Sequence, residues 1–263
     1  MTPLHQAVIE DDFEKMHDSA FVRKWFDVPD KLGFLPLEIA KYLGKYDAVK
    51  ALGGNLQSVF RLQPHGAKRP VQLTLEGFEK SLNIRYRPFL TFPSYECFKE
   101  VIDQCPYILR SHHIASDNHS WGKAYQREMA LGIETFVVIK WIDPILGYGA
   151  FTTEEIAKGQ FIGEYTGVVR HLVRGHSDHN PYCFHYPTKW WSLKYFAIDS
   201  MREGNWTRFI NHSTKANIQL LCAVDRKLLH IILVAKRPID PGEQLTFDYG
   251  DDYWAKRKQV QNR

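Results

Sequence analysis

Three short stretches of the 263-residue chain gather the residue types from which binding and catalytic sites are made. The first is Leu146-Gly147-Tyr148-Gly149-Ala150-Phe151, followed by Gly163-Glu164-Tyr165-Thr166-Gly167. The second is Arg208-Phe209-Ile210-Asn211-His212-Ser213. The third is Gly242-Glu243-Gln244-Leu245-Thr246-Phe247-Asp248-Tyr249-Gly250, with Trp254 five residues past Tyr249. Singly, each has an ordinary explanation. Gly147-Tyr148-Gly149 lacks the third glycine and the following helix of a dinucleotide fingerprint. Asn-His-Ser is a common capped turn, and a tyrosine such as Tyr249 is a usual half-buried strand residue. Metal chemistry finds no support. His171, His176, His179 and His185 are spaced 5, 3 and 6 apart, and the cysteines at 97, 105, 183 and 222 are scattered. Neither pattern is that of a zinc site, so no metal is expected, and 170–194 reads as a mobile polar loop.

The elements that must position these stretches are short strands. Thr135–Ile142, Gln160–Tyr165, Tyr195–Asp199, Asn217–Val224, Leu228–Lys236 and Gln244–Tyr249 are β-branched or aromatic runs punctuated by Gly, Pro and Asp. Asp225-Arg226-Lys227 joins two of them as a hairpin. The absence of βαβ alternation disfavours a Rossmann fold and predicts a mixed, mainly β C-terminal domain over 134–263. At the other end, Thr2-Pro3-Leu4-His5-Gln6-Ala7 is echoed by Leu35-Pro36-Leu37-Glu38-Ile39-Ala40, 33 residues later. That period and the T-P-L-H-x-A pattern resemble an ankyrin repeat; the plain alternative is a pair of helix starts. About three repeats are needed for an independent solenoid, so an α-helical ankyrin-like segment over 1–54 must lean on the rest of the chain. Ile39, Tyr42, Leu43, Tyr46 and Val49 lie at helical spacing, stopped by Gly53-Gly54. Residues 55–133 read as a linker or accessory region. There Phe98, Val101, Ile102 and Cys105 predict one amphipathic helix between Ser94 and Pro106. Cys97 and Cys105 read as packing residues, and Arg85 and Arg87 as part of a solvated face.

Taken together and in this order, the G-x-G-x-F, E-Y-x-G, R-F-I-N-H-S and G-E-x-L-T-F-D-Y elements resemble the SET domain of protein lysine methyltransferases. The resemblance covers roughly residues 134–254. It implies small curved sheets around a knot-like crossing, where the Asn-His-Ser and Phe-Asp-Tyr segments meet. It also implies methyl transfer from S-adenosyl-L-methionine to a lysine of a protein substrate, a histone or a basic histone-like protein. By the resemblance, Tyr249 is the active-site tyrosine. Its hydroxyl would accept weak C–H···O contacts that orient the methyl group. Tyr165 would line the lysine channel, or else pack on Phe161 as a strand residue. The Gly147-Tyr148-Gly149 backbone would lie against the cofactor. Asn211 would bind the cofactor's amino-acid end with its amide, and His212 would use its backbone toward adenine. Trp254 would stack on adenine, or else close the domain as an exposed anchor. Phe247 would face the lysine amine, where it cannot hold a water as a tyrosine would, which implies di- or trimethyl-lysine as product. Trp190 and Trp191 would pack the substrate groove.

Two departures from the family stand out. No cysteine follows Cys222, so a zinc-binding segment after the core is missing, and Thr214-Lys215-Ala216-Asn217 has alanine where proline is common. A catalytically inactive SET and ankyrin interaction module is the rival reading, against which intact Tyr249, Asn211 and His212 count.

Composition removes several other classes. Apolar residues at 44% and charged residues at 24% are globular values. No apolar run is longer than Ile231–Ala235, far below the roughly 20 residues of a membrane span. MTPLHQAVIEDD has no basic region leading into an apolar one, so no classical signal peptide is expected. A formal charge of +4, spread along the chain, is no signature of a nucleic-acid binder, and neither nucleic acid nor membrane is expected as a direct partner. Four free thiols suit a reducing compartment, cytoplasm or nucleus; an effector delivered into a host cell would look the same. The ankyrin-like segment implies a docking surface for a partner or for self-association.

Overall fold

A computed structural model describes residues 1–56, 59–104, 112–172, 180–186, 195–251 and 253–254. The chain begins with helices α1 (Pro3–Glu10), α2 (Phe13–His17), α3 (Ser19–Trp25), α4 (Pro36–Tyr42) and α5 (Tyr46–Ala51). Thr2 caps α1, with its hydroxyl 2.7 Å from His5 Nδ1. His5 Nε2 donates to Phe34 O at 2.9 Å, which ties α1 to the loop before α4. α1 packs on α4, and α2 on α5. The helical spacing from Ile39 to Val49 is split in two. Gly44 takes φ +64°, a left-handed value that ends α4 and lets Lys45 N–H reach Ala40 O at 2.9 Å.

These helices do lean on the rest of the chain: Phe34 and Tyr42 pack with Phe92 and Phe98 in the core, and Arg226 adds a polar tie. Its Nη1 and Nη2 donate to the Glu38 carboxylate on α4 at 2.9 and 2.7 Å, and its guanidinium lies 4.2 Å over the Phe34 ring. Asp225 supplies a second carboxylate to the same guanidinium.

Residues 59–131 form β1 (Val59–Gln63), β2 (Val71–Thr74), α6 (Leu75–Leu82), β3 (Arg85–Tyr86), α7 (Tyr95–Gln104), α8 (His112–Ala124) and α9 (Gln126–Leu131). They are built into the core of the molecule. β1 pairs with β2 and also, in parallel, with β4 (Val137–Asp143), which is antiparallel to β5 (Gly147–Thr152), giving a sheet of order β2-β1-β4-β5. α7 matches the predicted helix, with Ser94 Oγ accepting from Cys97 N–H at 3.2 Å; Cys105 lies outside the described residues. Arg87 departs from the solvated reading. Its Nε donates to Glu203 at 2.7 Å, its guanidinium stands over the Tyr46 ring, and its side chain is 11% exposed. Arg85 is exposed.

The strands that follow are β6 (Phe161–Glu164), β7 (Val168–Leu172), β8 (Cys183–Tyr186), β9 (Tyr195–Asp199) and β10 (Glu203–Gly204). After a 3₁₀ turn over Trp206–Phe209 come β11 (Asn211–His212), β12 (Ile218–Asp225), β13 (Leu228–Ala235) and β14 (Thr246–Phe247). They form small sheets of order β12-β13-β6, β7-β9-β8, β10-β3 and β11-β14. The expected hairpin is a two-residue turn in which Arg226 and Lys227 both take positive φ, at 46° and 68°. α8 crosses β12 closely at Gly122, where a Cβ would sit 2.1 Å from Val224 O. The polar stretch 170–194, expected as a loop, carries strand at its start, in β7, and at 183–186, in β8, because both flank β9.

Glu134, just after α9, joins the accessory region to this core. It accepts from Tyr86 Oη at 2.6 Å and from Asn205 Nδ2 at 2.9 Å. Withdrawal from water pushes its carboxyl from 4.5 up to about 7, against those two donors. The raised folded pKa means that the stabilising contribution is full below about pH 4.5 and is lost as pH rises through about 7. Glu134→Gln is therefore expected to flatten the stability profile across that window, by about 1–3 kcal/mol, in denaturant titrations at several pH values. A profile with the wild-type slope would remove Glu134 from this role.

Candidate active site

The Asn-His-Ser and Phe-Asp-Tyr segments lie side by side. β11 and β14 pair in parallel, Asn211 with Thr246 and His212 with Phe247, so the strand expected over Gln244–Tyr249 is only two residues long. Buried Asn217 fastens this crossing. Its Oδ1 accepts from Thr246 N–H at 2.9 Å and its Nδ2 donates to Gln244 O at 2.8 Å. That is the local reason for asparagine four residues after Ser213, and the bonds form with Ala216 in front of it.

Tyr249 is held at three points. Its hydroxyl donates to Ile210 O at 2.9 Å, its N–H donates to His212 Nδ1 at 3.2 Å, and its ring lies among aromatic neighbours. Those neighbours are Phe247 at 4.7 Å, Tyr253 at 4.6 Å, His212 at 5.4 Å and Trp254, stacked at 6.3 Å. The phenolic proton is spent on a carbonyl, which leaves oxygen lone pairs as acceptors. His212 works here through its ring as well as its backbone, because a ring nitrogen that accepts the Tyr249 N–H fixes the tyrosine's main chain. Trp254 lies 5.0 Å from His212 and is 39% exposed.

An aromatic row extends from Tyr249 away from His212. Phe247 is buried, Phe184 of β8 lies 6.3 Å from it, and Tyr165, just past β6, lies 4.4 Å from Phe184. Tyr165 is buried against Phe184 rather than on Phe161, whose ring neighbour is Tyr125. Its hydroxyl donates to Tyr182 O at 2.9 Å, and burial holds its pKa well above the ordinary tyrosine value. Such a row is a poor solvent for a cation, so an amine entering along it is pushed toward its neutral form.

On the other side of the crossing lies the start of β5. Asn211 Nδ2 donates to Tyr148 O at 3.2 Å, while Asn211 Oδ1 makes no hydrogen bond among the described residues. The two glycines are needed for different reasons. At Gly149 a Cβ would come within 2.6 Å of Ile142 Cδ1 and 2.8 Å of Gln244 Nε2, so a side chain there would push those two side chains aside. Gly147 takes φ +69° and a Cβ on it would meet nothing within 4 Å, which leaves open space beside its backbone. Open main chain at Gly147 and an amide oxygen awaiting a donor fit a ligand with a charged amino-acid end.

Gly147, Tyr148, Gly149, Asn211, His212, Phe247, Tyr249 and Trp254 therefore converge on one crossing, with Tyr165 joined to them through Phe184. Sequence reasoning missed Phe184, Tyr182, Tyr253 and the Ile210 carbonyl. The Tyr-Cys-Phe-His-Tyr run at 182–186 was a signal for the first two; weight went instead to Trp190 and Trp191, which lie outside the described residues. His176 and His179 lie outside them too. His171 pairs with Glu100 at 3.2 Å, and His185 sits on β8, separated from His171 on β7 by β9. Among the described residues no group of three His, Cys, Asp or Glu is placed to hold a metal.

Residues 147–250 match the family model described as SET domain. N-lysine methyltransferase KMT5A-A of Danio rerio is 33% identical over 128 residues, which is 46% of this chain and 37% of that protein. Histone-lysine N-methyltransferase SUV39H1 of Xenopus laevis is 34% identical over 111 residues, 39% of this chain and 26% of that protein. The chain thus matches well under half the length of these relatives. The crystal structure of ATXR5 in complex with histone H3.1 mono-methylated on R26 superposes with a TM-score of 0.51 at 20% identity, over 67% of this chain and 86% of that one. At that identity the likeness is one of fold: small SET-type sheets with a helical N-terminal region ahead of them.

Proposed function

We propose that this chain is a protein-lysine methyltransferase that uses S-adenosyl-L-methionine and acts on a histone or a basic histone-like protein. The observation that carries the reading is the anchored Tyr249 hydroxyl, set between the aromatic row and the Asn211–Tyr148 contact. The names of the relatives that match the SET region at 33% and 34% identity support it. When bound, S-adenosyl-L-methionine supplies an electrophilic methyl group on a sulfonium. Asn211 Oδ1 would accept from its ammonium, and the open backbone at Gly147 would lie along its amino-acid end. His212 and Trp254 would flank its adenine. Tyr165, Phe184 and Phe247 would form the lysine channel, exclude water and disfavour the ammonium form. The Tyr249 oxygen would hold the methyl group in line with the amine. No protein base is required, because the proton of the entering ammonium can leave to solvent before the displacement. A nuclear location would follow from a histone substrate.

Residues 1–54 read as two ankyrin-type helix pairs. The 33-residue offset and the stacking of α1 on α4 and α2 on α5 support this, as does His5, which ties its cap to the next unit. Their work here is to brace the β12–β13 hairpin; a docking role would use their outer face.

Phe247 sets the expected product. It is buried between Phe184 and Tyr249 and carries no hydroxyl to hold a water near the amine. Di- or trimethyl-lysine is the expected end point, with a several-fold shift toward monomethyl-lysine in Phe247→Tyr, one hydrogen bond being worth about 0.5–1.5 kcal/mol. Mass spectrometry of a peptide taken to completion decides it. A wild type that stops at one methyl refutes this role for Phe247. The deciding experiment for the function itself is calorimetric titration with S-adenosyl-L-methionine, followed by methyl transfer onto a histone mixture. Binding without any transfer would favour the inactive interaction module.

A further inference from the structure

The hairpin formed by β1 and β2 is a concentration of unpaired positive charge. Residues 59–75 contain the cations Arg61, Lys68 and Arg69, with His65 beside them, and no acidic residue. All four are exposed, and none forms an ion pair among the described residues. Lys140 adds a fourth cation at the same end of the sheet, because it pairs with Gln63 across the β1–β4 ladder; it stands over the Phe151 ring and has no carboxylate partner among the described residues. The nearest acid in sequence, Glu76, lies on α6 beyond the opposite end of β2. Asp143, at the tip of the neighbouring hairpin, has its Oδ1 taken by the N–H groups of Ile145 and Leu146, both at 2.7 Å.

The loop that carries these charges is fixed to the sheet. Gln63 Nε2 donates to Ala67 O at 2.9 Å, Ala67 N–H donates to Pro64 O at 3.1 Å, and the His65 ring meets Trp141 edge-on at 5.5 Å. Trp141 in turn contacts Tyr148, at 5.3 Å, so the basic tip stands two rings from the Gly147–Gly149 backbone. Cations on a fixed strand pair, whose neighbouring carboxylate Asp143 is turned onto the N–H groups of its own turn, are what a row of phosphates needs from a protein surface.

We propose that the β1–β2 hairpin, with Lys140, is a docking surface for the phosphate backbone of a nucleic acid. The +4 charge of the whole chain hides it, since an acid-free stretch of 17 residues is diluted in the total, and Lys140 joins it only when β1 folds beside β4. Nucleic acid is favoured over an anionic membrane because the loop Pro64–Pro70 offers no large apolar side chain among its cations. The neighbouring tip does expose Ile145, at 94%, so vesicles are the discriminating control. The surface does not depend on methyltransferase activity, although it would set nucleic acid beside the proposed catalytic crossing.

The test uses the full chain and a fluorescent DNA duplex of about 30 base pairs, followed by anisotropy from about 50 to 200 mM salt. Expected is binding that weakens with salt at a log–log slope of about three to four. In Lys68→Glu/Arg69→Glu the affinity should fall at least tenfold and the slope by about two. Circular dichroism and thermal melting check that the double variant is folded, and neither readout needs turnover. Three results would overturn the proposal: no duplex binding at 50 mM salt, equal binding by the folded double variant, or tighter hairpin-dependent binding to phosphatidylserine vesicles than to the duplex.

Discussion

Tyr249→Phe is expected to lower turnover by about 10- to 100-fold while S-adenosyl-L-methionine affinity stays within about threefold of wild type. The substitution removes one oxygen. The ring keeps its neighbours Phe247, His212, Tyr253 and Trp254, and the main chain keeps its bond to His212 Nδ1. The Ile210 carbonyl loses one donor, a folding cost of about 0.5–1.5 kcal/mol that should leave the protein native. Turnover should suffer more, because in the proposed reaction the hydroxyl would align the methyl group as well as pin the ring, and a misplacement of about 1 Å in such an arrangement can cost on the order of 100-fold. A loss confined to the chemical step is the signature of an interaction made in the transition state. Single-turnover kinetics with bound cofactor measure it directly. A rate within twofold of wild type would exclude Tyr249 from catalysis.

Asn211→Ala is expected to weaken S-adenosyl-L-methionine binding by roughly 5- to 150-fold, the equivalent of about 1–3 kcal/mol for a polar ligand group left without its partner. Two losses act together. The cofactor's ammonium would lose the Asn211 oxygen, and Tyr148 O would lose the donor that holds the start of β5 against the crossing. Asn211→Asp separates them: it restores an acceptor for the ammonium but cannot donate to Tyr148 O. Calorimetry on both variants, with folding confirmed by thermal melting, gives the partition. Unchanged affinity in Asn211→Ala would move the ligand's amino-acid end elsewhere.

Much of this site was legible in the sequence. Glycine at 147 and 149, Asn211-His212 and Phe247-Asp248-Tyr249 are local patterns whose types and order carried the SET resemblance, because backbone approach, amide bonding and an aromatic hydroxyl each demand a particular residue. The strands β9, β12 and β13 were legible for a similar reason: their apolar, β-branched runs need no partner to be recognised. The two-residue turn at Arg226-Lys227 showed in the polar break between two such runs. The ends of helices were less so. The break at Gly44 lay inside an unbroken helical spacing, and only the left-handed backbone there separates α4 from α5.

What the tertiary structure decided is which distant pieces meet. Residues 59–86 read as a linker or accessory region because β1, β2 and β3 are short, and β1 and β3 take partners far along the chain, β4 and β10; hydrogen bonding across such separations leaves no periodicity in the sequence. Phe184 and Tyr182 enter the site only because β8 lies on β9, which brings a polar-looking stretch against Tyr165. Arg87, which reads as a surface cation, is withdrawn from solvent by Glu203 and Tyr46, both distant in sequence. The two glycines separate for the same reason. A G-x-G pattern states that side chains are unwelcome, and only the fold shows that at 149 a Cβ would press on the side chains of Ile142, Gln244 and Asn211, and that 147 is a left-handed turn facing open space. Sequence determines the chemistry each residue can offer, because that belongs to the side chain. Position belongs to the pairing of strands, and pairing is settled by the whole chain at once.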